Sequence, residues 1–459
     1  MSLARTAKLL RDSPARWRAF AVCAFLLPAC VVRLSDRNAP LQNGGVSGGP
    51  VDCANVPPLG EGAPSTDPKA VKTKFLGRYD FSVPDRPHFD WSGNSMNARF
   101  HGTEVTWGAE AGIEIVFEQI VDGKAAQVIL GGLVENKTVT VQVPDGDHEI
   151  TVVRSSEALF SDGAFIPFTF GAGTTQLAPI ERPRRIEYIG DSITCGYGNE
   201  GANATCPYDV PIRPELDTNG NPIFNKAGEQ QFVKIPESQN IHLAYGSIAA
   251  RKLAADAVTL CFSGKGVVLN YREQGVGEGK ILNPDDAPDP DAKTTIPEYY
   301  LRTIATINKP DWDFAKDQPQ PQVVVINIGT NDFARDVNQD SIADGIDVAA
   351  FRAGYRKFVD FVRSKRPDAH IFLAVPPMVT DKFPLDNART DFRNTLTSIA
   401  QEMNGQGDGK VYSMELVEMG VRYGLGCDYH PNLEVHRIMA EQVVGAIKSK
   451  TCWSTVDAQ

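Results

Sequence analysis

Hydrophobic and polar positions along this chain fall into two regimes. Over residues 75–170 apolar and polar residues alternate in short runs, as in Val139-Thr140-Val141-Gln142-Val143 and His148-Glu149-Ile150-Thr151-Val152-Val153. A period of two places successive side chains on opposite faces, so each run predicts a half-buried β-strand. Turn residues punctuate them, as in Val121-Asp122-Gly123-Lys124 and Pro144-Asp145-Gly146-Asp147. Short strands, evenly spaced turns and no helical period predict a β-sandwich of about 100 residues, bounded here at 71–181.

The pattern changes past Arg182-Pro183-Arg184-Arg185. Residues 186–189, 323–328 and 371–375 are apolar runs, suited to central strands of a parallel sheet covered on both faces. A further strand is expected before Ser263, over 257–262. Helical spacing appears over 243–253, 349–365, 390–403 and 433–447. Alternating strands and helices predict an α/β domain over 182–459, a parallel sheet layered between helices. In such sheets ligands bind beyond the carboxyl ends of the strands.

The first thirty residues fit neither regime. Arg5, Lys8, Arg11, Arg16 and Arg18 precede an apolar run over 19–29, too short to cross a bilayer about 30 Å thick as a helix. A basic flank, a short apolar core and a small residue at its end predict an export signal over 1–29. Leu27-Pro28-Ala29-Cys30 resembles a lipoprotein lipobox with Cys30 as the lipidated residue, which implies an outer-membrane, cell-surface or secreted protein. Residues 30–70, rich in Gly and Pro and poor in large apolar side chains, read as a flexible linker.

Charge and cysteine content narrow the picture further. The full chain has 46 basic and 57 acidic residues; removing 1–29, with its five bases and Asp12, leaves 41 against 56, or −15. Such an acidic chain, with no apolar run of 18 residues, is a poor fit to nucleic-acid binding or to a polytopic membrane protein. Beyond Cys23 and Cys30, cysteines stand at 53, 195, 206, 261, 427 and 452. Cys195 and Cys427 flank segments singled out below, so a bridge from one of them to Cys206 would brace that region.

Three strand-end segments carry candidate chemistry: Gly190-Asp191-Ser192-Ile193-Thr194, Gly329-Thr330-Asn331-Asp332 and Asp428-Tyr429-His430-Pro431-Asn432. A serine hydroxyl becomes a useful nucleophile when an imidazole takes its proton. Acyl transfer also needs donors aimed at the developing oxyanion. Ser192, His430 and the Asn331 amide could supply these parts. Taken singly, each segment is ordinary: a turn, a helix cap, a helix start. Together, and all at strand ends, they point to a hydrolase.

These segments resemble the nucleophile, Asn and His blocks of the SGNH (GDSL-like) hydrolases, with Ser263-Gly264-Lys265-Gly266 as the glycine block, over roughly 184–450. Arg99-Phe100-His101-Gly102-Thr103-Glu104-Val105, Val121-Asp122-Gly123, Thr194-Cys195-Gly196-Tyr197-Gly198-Asn199-Glu200-Gly201 and Leu243-Ala244-Tyr245-Gly246 resemble carbohydrate esterase family 2. That resemblance implies a jelly-roll sandwich ahead of a three-layer α/β/α domain, and removal of acetyl groups from acetylated polysaccharide or oligosaccharide without a metal or other cofactor. It implies Ser192 as nucleophile, His430 as base, and Ser192, Gly264 and Asn331 as the oxyanion hole. Tyr429 and Asp332 fall among its substrate-binding positions. Most SGNH enzymes place an Asp three residues before the His; here that position is Cys427 and Asp428 is two before. Either the Asp428 carboxylate orients His430, or a backbone carbonyl does.

Other candidates have plainer readings. His88, His101, His148 and His370 suit structural roles, and His436 should face away from His430. Trp91 and Trp107 suit the sandwich core better than a sugar platform. Pro284-Asp285-Asp286-Ala287-Pro288-Asp289-Pro290-Asp291 lacks calcium-loop spacing. Asp217-Thr218-Asn219-Gly220-Asn221-Pro222 reads as a turn in an insertion near the site. The competing functions are an SGNH lipase or thioesterase on lipid acyl esters, and a non-catalytic carbohydrate-binding surface protein.

Overall fold

The computed structural model describes residues 45–56, 59–67, 73–132, 137–217, 219–225, 227–272, 293–336, 340, 342–420 and 422–456. The expected signal over 1–29, Cys30 and the acidic segment over 284–291 lie outside the described residues. Among the described residues, no helix is long and apolar enough to cross a membrane.

The sandwich is built on β1 (Ser95–Ala111), β2 (Glu114–Val121), β3 (Lys124–Gly131), β4 (Thr138–Arg154) and β5 (Gly163–Phe170), with shorter strands completing an antiparallel sheet. Asp122 and Gly123 join β2 to β3 as a two-residue hairpin, both at positive φ (48° and 79°). The sequence pattern splits β4 in two at Pro144-Asp145-Gly146-Asp147; the structure runs it as one strand. The extra residues are absorbed where the ladder with β1 shifts, between the pairs Gly102–Gly146 and Glu104–Gln142. Gly102 there has φ 143° and Thr174 against it, a close approach that leaves no room for a side chain. Trp107 packs with Phe89, Phe100, Phe117 and Phe165 in the sandwich core, whereas Trp91, equally buried, packs into the α/β core instead.

The second domain has a five-stranded parallel sheet of β6 (Arg185–Gly190), β7 (Asp256–Cys261), β8 (Val323–Asn327), β9 (His370–Val375) and β10 (Val411–Glu415), in the order β7-β6-β8-β9-β10. The edge strand β10 escapes the sequence pattern because Val411-Tyr412-Ser413-Met414-Glu415 is short and partly polar. Its helices are α1 (Ser192–Cys195), α2 (Tyr245–Lys252), α3 (Ile296–Tyr299), α4 (Thr330–Phe333), α5 (Val348–Lys365), α6 (Ala388–Gly405) and α7 (Leu433–Thr451). Phe351, Tyr355, Phe392 and Leu396 of α5 and α6 share a core with Val324, Ile326 and Leu373 on one sheet face. Tyr245, Ala249, Val435 and Met439 of α2 and α7 share another with Tyr188, Val325 and Phe372 on the opposite face. Alternate strand residues thus feed two cores, the three layers that the apolar runs predict.

Polar contacts fuse the two domains. The buried Arg78 guanidinium donates to the carbonyls of Tyr300 and Arg302 (2.6 and 2.9 Å). Buried Asp90 accepts from the amides of Ala305 and Thr306 (2.7 and 2.8 Å), and Trp91 Nε1 donates to the Thr303 carbonyl at 3.1 Å. An inserted hairpin, Val210–Pro214 with Phe232–Ile235, leans on the sandwich through Arg213, whose Nε lies 2.5 Å from Glu114 Oε1. Its tip is closed by Asp217, which accepts from the amides of Asn219 and Asn221.

The expected linker is corrected over its second half. Residues 45–56 lie along the α/β domain, and Ala63–Pro64 pair antiparallel with Ile180–Glu181 where the sandwich ends. Ser47 bonds Ser413 of β10 through its amide and its hydroxyl, Lys450 of α7 donates to the carbonyls of Gly48 and Gly49, and Cys53 is disulfide-bonded to Cys452. Polar and Gly-rich composition describes how little this arm buries: Val46 packs against the α/β core, and backbone hydrogen bonds and a covalent bond hold the rest. Cys452→Ser should release the arm: limited proteolysis should cut within residues 45–67 several-fold faster than in the parent chain. Equal cleavage rates would show that hydrogen bonds alone suffice.

Candidate active site

The order in which strands are added reverses between β6 and β8, and the three segments singled out from sequence converge beyond those strand ends. β6 ends at Gly190, and Asp191 caps the single turn of α1 by accepting from the Ile193 amide at 3.1 Å. Ser192 is therefore the first residue of that turn, where a helical N–H has no acceptor within the helix. Gly196 closes the turn in the left-handed region, and Asn432 caps α7 just after His430.

Ser192 Oγ lies 2.8 Å from His430 Nε2, and His430 Nδ1 lies 2.9 Å from the backbone carbonyl of Asp428. A carbonyl only accepts, so Nδ1 carries the proton and Nε2 presents its lone pair to the serine hydroxyl. The Asp428 carboxylate goes elsewhere: its Oδ2 accepts from the Tyr197 hydroxyl at 2.7 Å. The expectation of Asp428 as a catalytic carboxylate is thus corrected. Asp428 and Tyr429 both adopt positive φ (48° and 60°), which turns the carbonyl of Asp428, and not its side chain, toward the ring. Tyr197 also packs its ring against His430, with centroids 4.3 Å apart, and stacks on Tyr208 at 3.5 Å.

The His loop is tied to the nucleophile loop. The Cys427 amide donates to the Gly198 carbonyl at 2.9 Å, and Cys427 is disulfide-bonded to Cys206. A second bridge joins Cys195 of α1 to Cys261 of β7. Both cysteines that flank the catalytic segments are therefore bridged, and Cys206 partners Cys427. The loops approach so closely that a Cβ on Gly426 would sit 2.1 Å from the Gly198 carbonyl oxygen.

On the other side, Asn331 Nδ2 donates to the Lys265 carbonyl at 2.9 Å, which leaves its second amide hydrogen for another acceptor. Gly264 has φ 75°, and its Cβ direction opens onto empty space. Asp332, expected to bind substrate, is fully buried. Its carboxylate accepts from the amides of Val267, Val268 and Leu269 (2.8, 2.7 and 2.8 Å), so it shapes the glycine-block loop instead. Tyr429 is half-buried beside His430. His436 lies wholly inside, its Nδ1 accepting from the Tyr245 amide at 3.1 Å, as expected of a structural histidine.

Burial shapes the protonation states. It pushes Asp191 up to about 7 and Asp332 up to about 6, the latter against the pull of three amides. His430 is lowered by burial, and the carbonyl and carboxylate of Asp428 pull it partway back. No group of three or more possible metal-ligating side chains occurs among the described residues.

Comparison with known proteins matches both halves. The carbohydrate esterase 2 N-terminal model fits residues 75–179, and the GDSL-like lipase/acylhydrolase family model fits residues 294–438. A family two carbohydrate esterase from Clostridium thermocellum, solved in complex with cellohexaose, is 31% identical, with a TM-score of 0.63 over 82% of this chain and 98% of that one. This chain belongs to carbohydrate esterase family 2. Cellulase/esterase CelE of Acetivibrio thermocellus is 34% identical over 383 residues, 83% of this chain but 39% of that protein, so the chain spans well under half of that curated relative. An acetylxylan esterase / glucomannan deacetylase of Cellvibrio japonicus is 25% identical over 369 residues, 79% of this chain and 85% of that protein. In this family 2 chain the nucleophile segment lies ahead of the GDSL-like match, and geometry rather than the family model pairs Ser192 with His430.

Sequence reasoning missed Tyr197, because nothing in Gly196-Tyr197-Gly198 marks an aromatic whose hydroxyl meets a residue 231 positions later. Asp428→Asn should lower kcat by less than about 10-fold, against about 10⁴-fold for the loss of a true triad aspartate. His430 must be neutral to accept a proton; burial holds its pKa below the ordinary value, and the Asp428 charge pulls it partway back. The acid limb of kcat/KM should therefore fall below the ordinary histidine value, and Asp428→Asn should move it lower still. A limb that moves upward in pH–rate profiles of the variant would contradict this arrangement.

Proposed function

We propose that this protein is an exported esterase that removes O-acetyl groups from polysaccharides or oligosaccharides, xylan and glucomannan being the leading candidates, through a serine-bound acyl-enzyme. The observation that carries the reading is the 2.8 Å pair of Ser192 Oγ and His430 Nε2, with the ring oriented from behind by a backbone carbonyl. Ser192 attacks the acetyl carbonyl while His430 takes the hydroxyl proton. The tetrahedral oxyanion is held by the amides of Ser192 and Gly264 and by Asn331 Nδ2. Its collapse expels the sugar alkoxide, which His430 protonates. His430 then draws a proton from water, whose oxygen attacks the acyl-enzyme, and acetate leaves as Ser192 regains its proton.

A carbonyl orients the imidazole without adding a second full charge, so the dyad relies more heavily on its oxyanion donors. Tyr429, half-buried beside the base, is the proposed aromatic surface for the sugar ring. The cellohexaose complex of the Clostridium thermocellum relative supports a β-linked glycan as the bound polymer. Export through residues 1–29, with a lipid anchor at Cys30, is part of the proposal. Three disulfides among the described residues support it, since such bonds persist in oxidising compartments.

Release of acetate from acetylated xylan, glucomannan and monosaccharide esters, alongside p-nitrophenyl acetate, butyrate and octanoate, tests the reading. Acetyl should be the preferred acyl group, and Ser192→Ala should cost at least about 10³-fold in kcat while the melting temperature holds. A preference for octanoate would favour the lipid acyl reading, and activity retained in Ser192→Ala would remove Ser192 as nucleophile.

A further inference from the structure

The loop that follows β7 carries Gly264, and its hydrogen bonds divide sharply by origin. At its far end, every anchor comes from the α/β domain. Asp332 holds the amides of Val267, Val268 and Leu269, and the Asn270 side chain accepts from the Gly266 amide at 3.1 Å. At its near end the Gly264 carbonyl accepts from the Tyr271 amide at 2.9 Å, and Ser263 is anchored from the other domain. Glu157, in the segment between β4 and β5 of the sandwich, receives the Ser263 amide on Oε2 at 2.8 Å and the Ser263 hydroxyl on Oε1 at 2.5 Å. Both residues are buried, Glu157 completely. The Gly264 amide, one residue on, has no acceptor among the described residues.

The glutamate is itself held rigidly. Arg154, also fully buried, donates from Nε to the Ser156 carbonyl at 2.8 Å and from Nη2 to the Glu157 carbonyl at 2.7 Å. It also donates to the Ser161 carbonyl. Ala158, Leu159 and Phe160, which follow Glu157, pack into the core of the α/β domain with Tyr197, Tyr208 and Phe262. A buried carboxylate is costly unless its oxygens are satisfied, and here two donors from a single residue satisfy both. Moving Ser263 would break both of these hydrogen bonds at once. The loop therefore has one low-energy position, and with it the direction of the Gly264 N–H.

We propose that Glu157 of the sandwich domain is a positioning residue for the oxyanion hole: by clamping Ser263 it aims the Gly264 amide at the oxyanion formed on Ser192. The inference rests on the acyl-enzyme reading above. It makes the sandwich a working part of the catalytic site and not only an attached module. Loss of the clamp should weaken interactions made in the tetrahedral state while leaving ground-state binding alone.

The test compares the full chain with Glu157→Ala, Glu157→Gln and Ser263→Ala. Steady-state kinetics on p-nitrophenyl acetate are paired with inhibition by phenylboronic acid, whose tetrahedral adduct with serine places an oxygen in the hole. Glu157→Ala should lower kcat about 10- to 100-fold with KM within about twofold, and boronate affinity should fall by a similar factor. Glu157→Gln, which keeps an acceptor for the Ser263 amide and a donor for its hydroxyl, should recover most of both losses. Ser263→Ala, which keeps the amide contact, should show a several-fold loss in both. A lowered melting temperature with kcat and boronate affinity unchanged would overturn the proposal. If Glu157→Ala fails to fold, Ser263→Ala decides, and wild-type values of both quantities overturn it. A parent chain that binds boronate but hydrolyses no ester would remove the acyl-enzyme reading, while the boronate affinities of the variants still decide the role of Glu157.

Discussion

Charge burial at the junction between sandwich and sheet is the constraint on which the rest of this structure depends. Arg78, Asp90, Arg154 and Glu157 all belong to the sandwich half, and all are buried. Arg78, Asp90 and Glu157 find their partners on backbone or side-chain groups of the α/β half. A hydrogen bond to a charged group typically contributes about 1.5–3 kcal/mol, and losing it leaves the buried charge less well solvated. Total stability of a domain is of the order of 5–15 kcal/mol, so the two halves cannot separate cheaply. Below the junction, Glu187 at the start of β6 meets Arg366 Nη2 at 2.7 Å, with Arg366 also reaching Asp317. Burial alone would raise the Glu187 pKa, but Arg366 and Arg78 overcome it and hold the group below its ordinary value. The carboxylate stays ionised beneath the sheet.

The same junction carries the geometry upward to the proposed catalytic groups. β6 delivers Ser192, β8 delivers Asn331, the segment after β7 delivers Gly264, and the segment before α7 delivers His430. None of these is held by its own strand alone. Cys206–Cys427 and the Cys427–Gly198 hydrogen bond fix the His430 loop to the loop after Ser192, while Asp332 and Glu157 hold the loop that carries Gly264 from opposite ends. The Asp428 carboxylate acts within this network through Tyr197, and its backbone carbonyl acts on the imidazole. One residue thus separates two tasks that a triad aspartate combines.

Much of this was legible in the chain. Helices expected over 243–253, 349–365, 390–403 and 433–447 appear as Tyr245–Lys252, Val348–Lys365, Ala388–Gly405 and Leu433–Thr451. Strong periodicity and good caps, such as Asp347 accepting from the Ala349 and Ala350 amides, fix such elements locally. Harder features were those whose cause lies far away in sequence. Residues 45–67 look like a tether by composition, yet hydrogen bonds and a disulfide spanning 399 positions lay part of it along the α/β domain. Pro144-Asp145-Gly146-Asp147 looks like a strand break, yet β1 supplies a shifted register that carries the strand through. Asp332 looks like a site residue by position, yet three amides of another loop claim its carboxylate.

The sequence by itself determined the two fold types and the family, and singled out Ser192, Asn331 and His430 as candidates, because periodicity and short motifs are properties of neighbouring residues. Only the tertiary structure decided which atom orients His430, which cysteines pair, and which carboxylates hold the oxyanion loop. Those choices turn on distances between segments far apart in the chain, 238 positions for Ser192 and His430 and 399 for Cys53 and Cys452, and on a backbone turned by two successive positive φ values. No local pattern encodes such a distance; it is set when buried charges at the junction find partners and the two halves lock together.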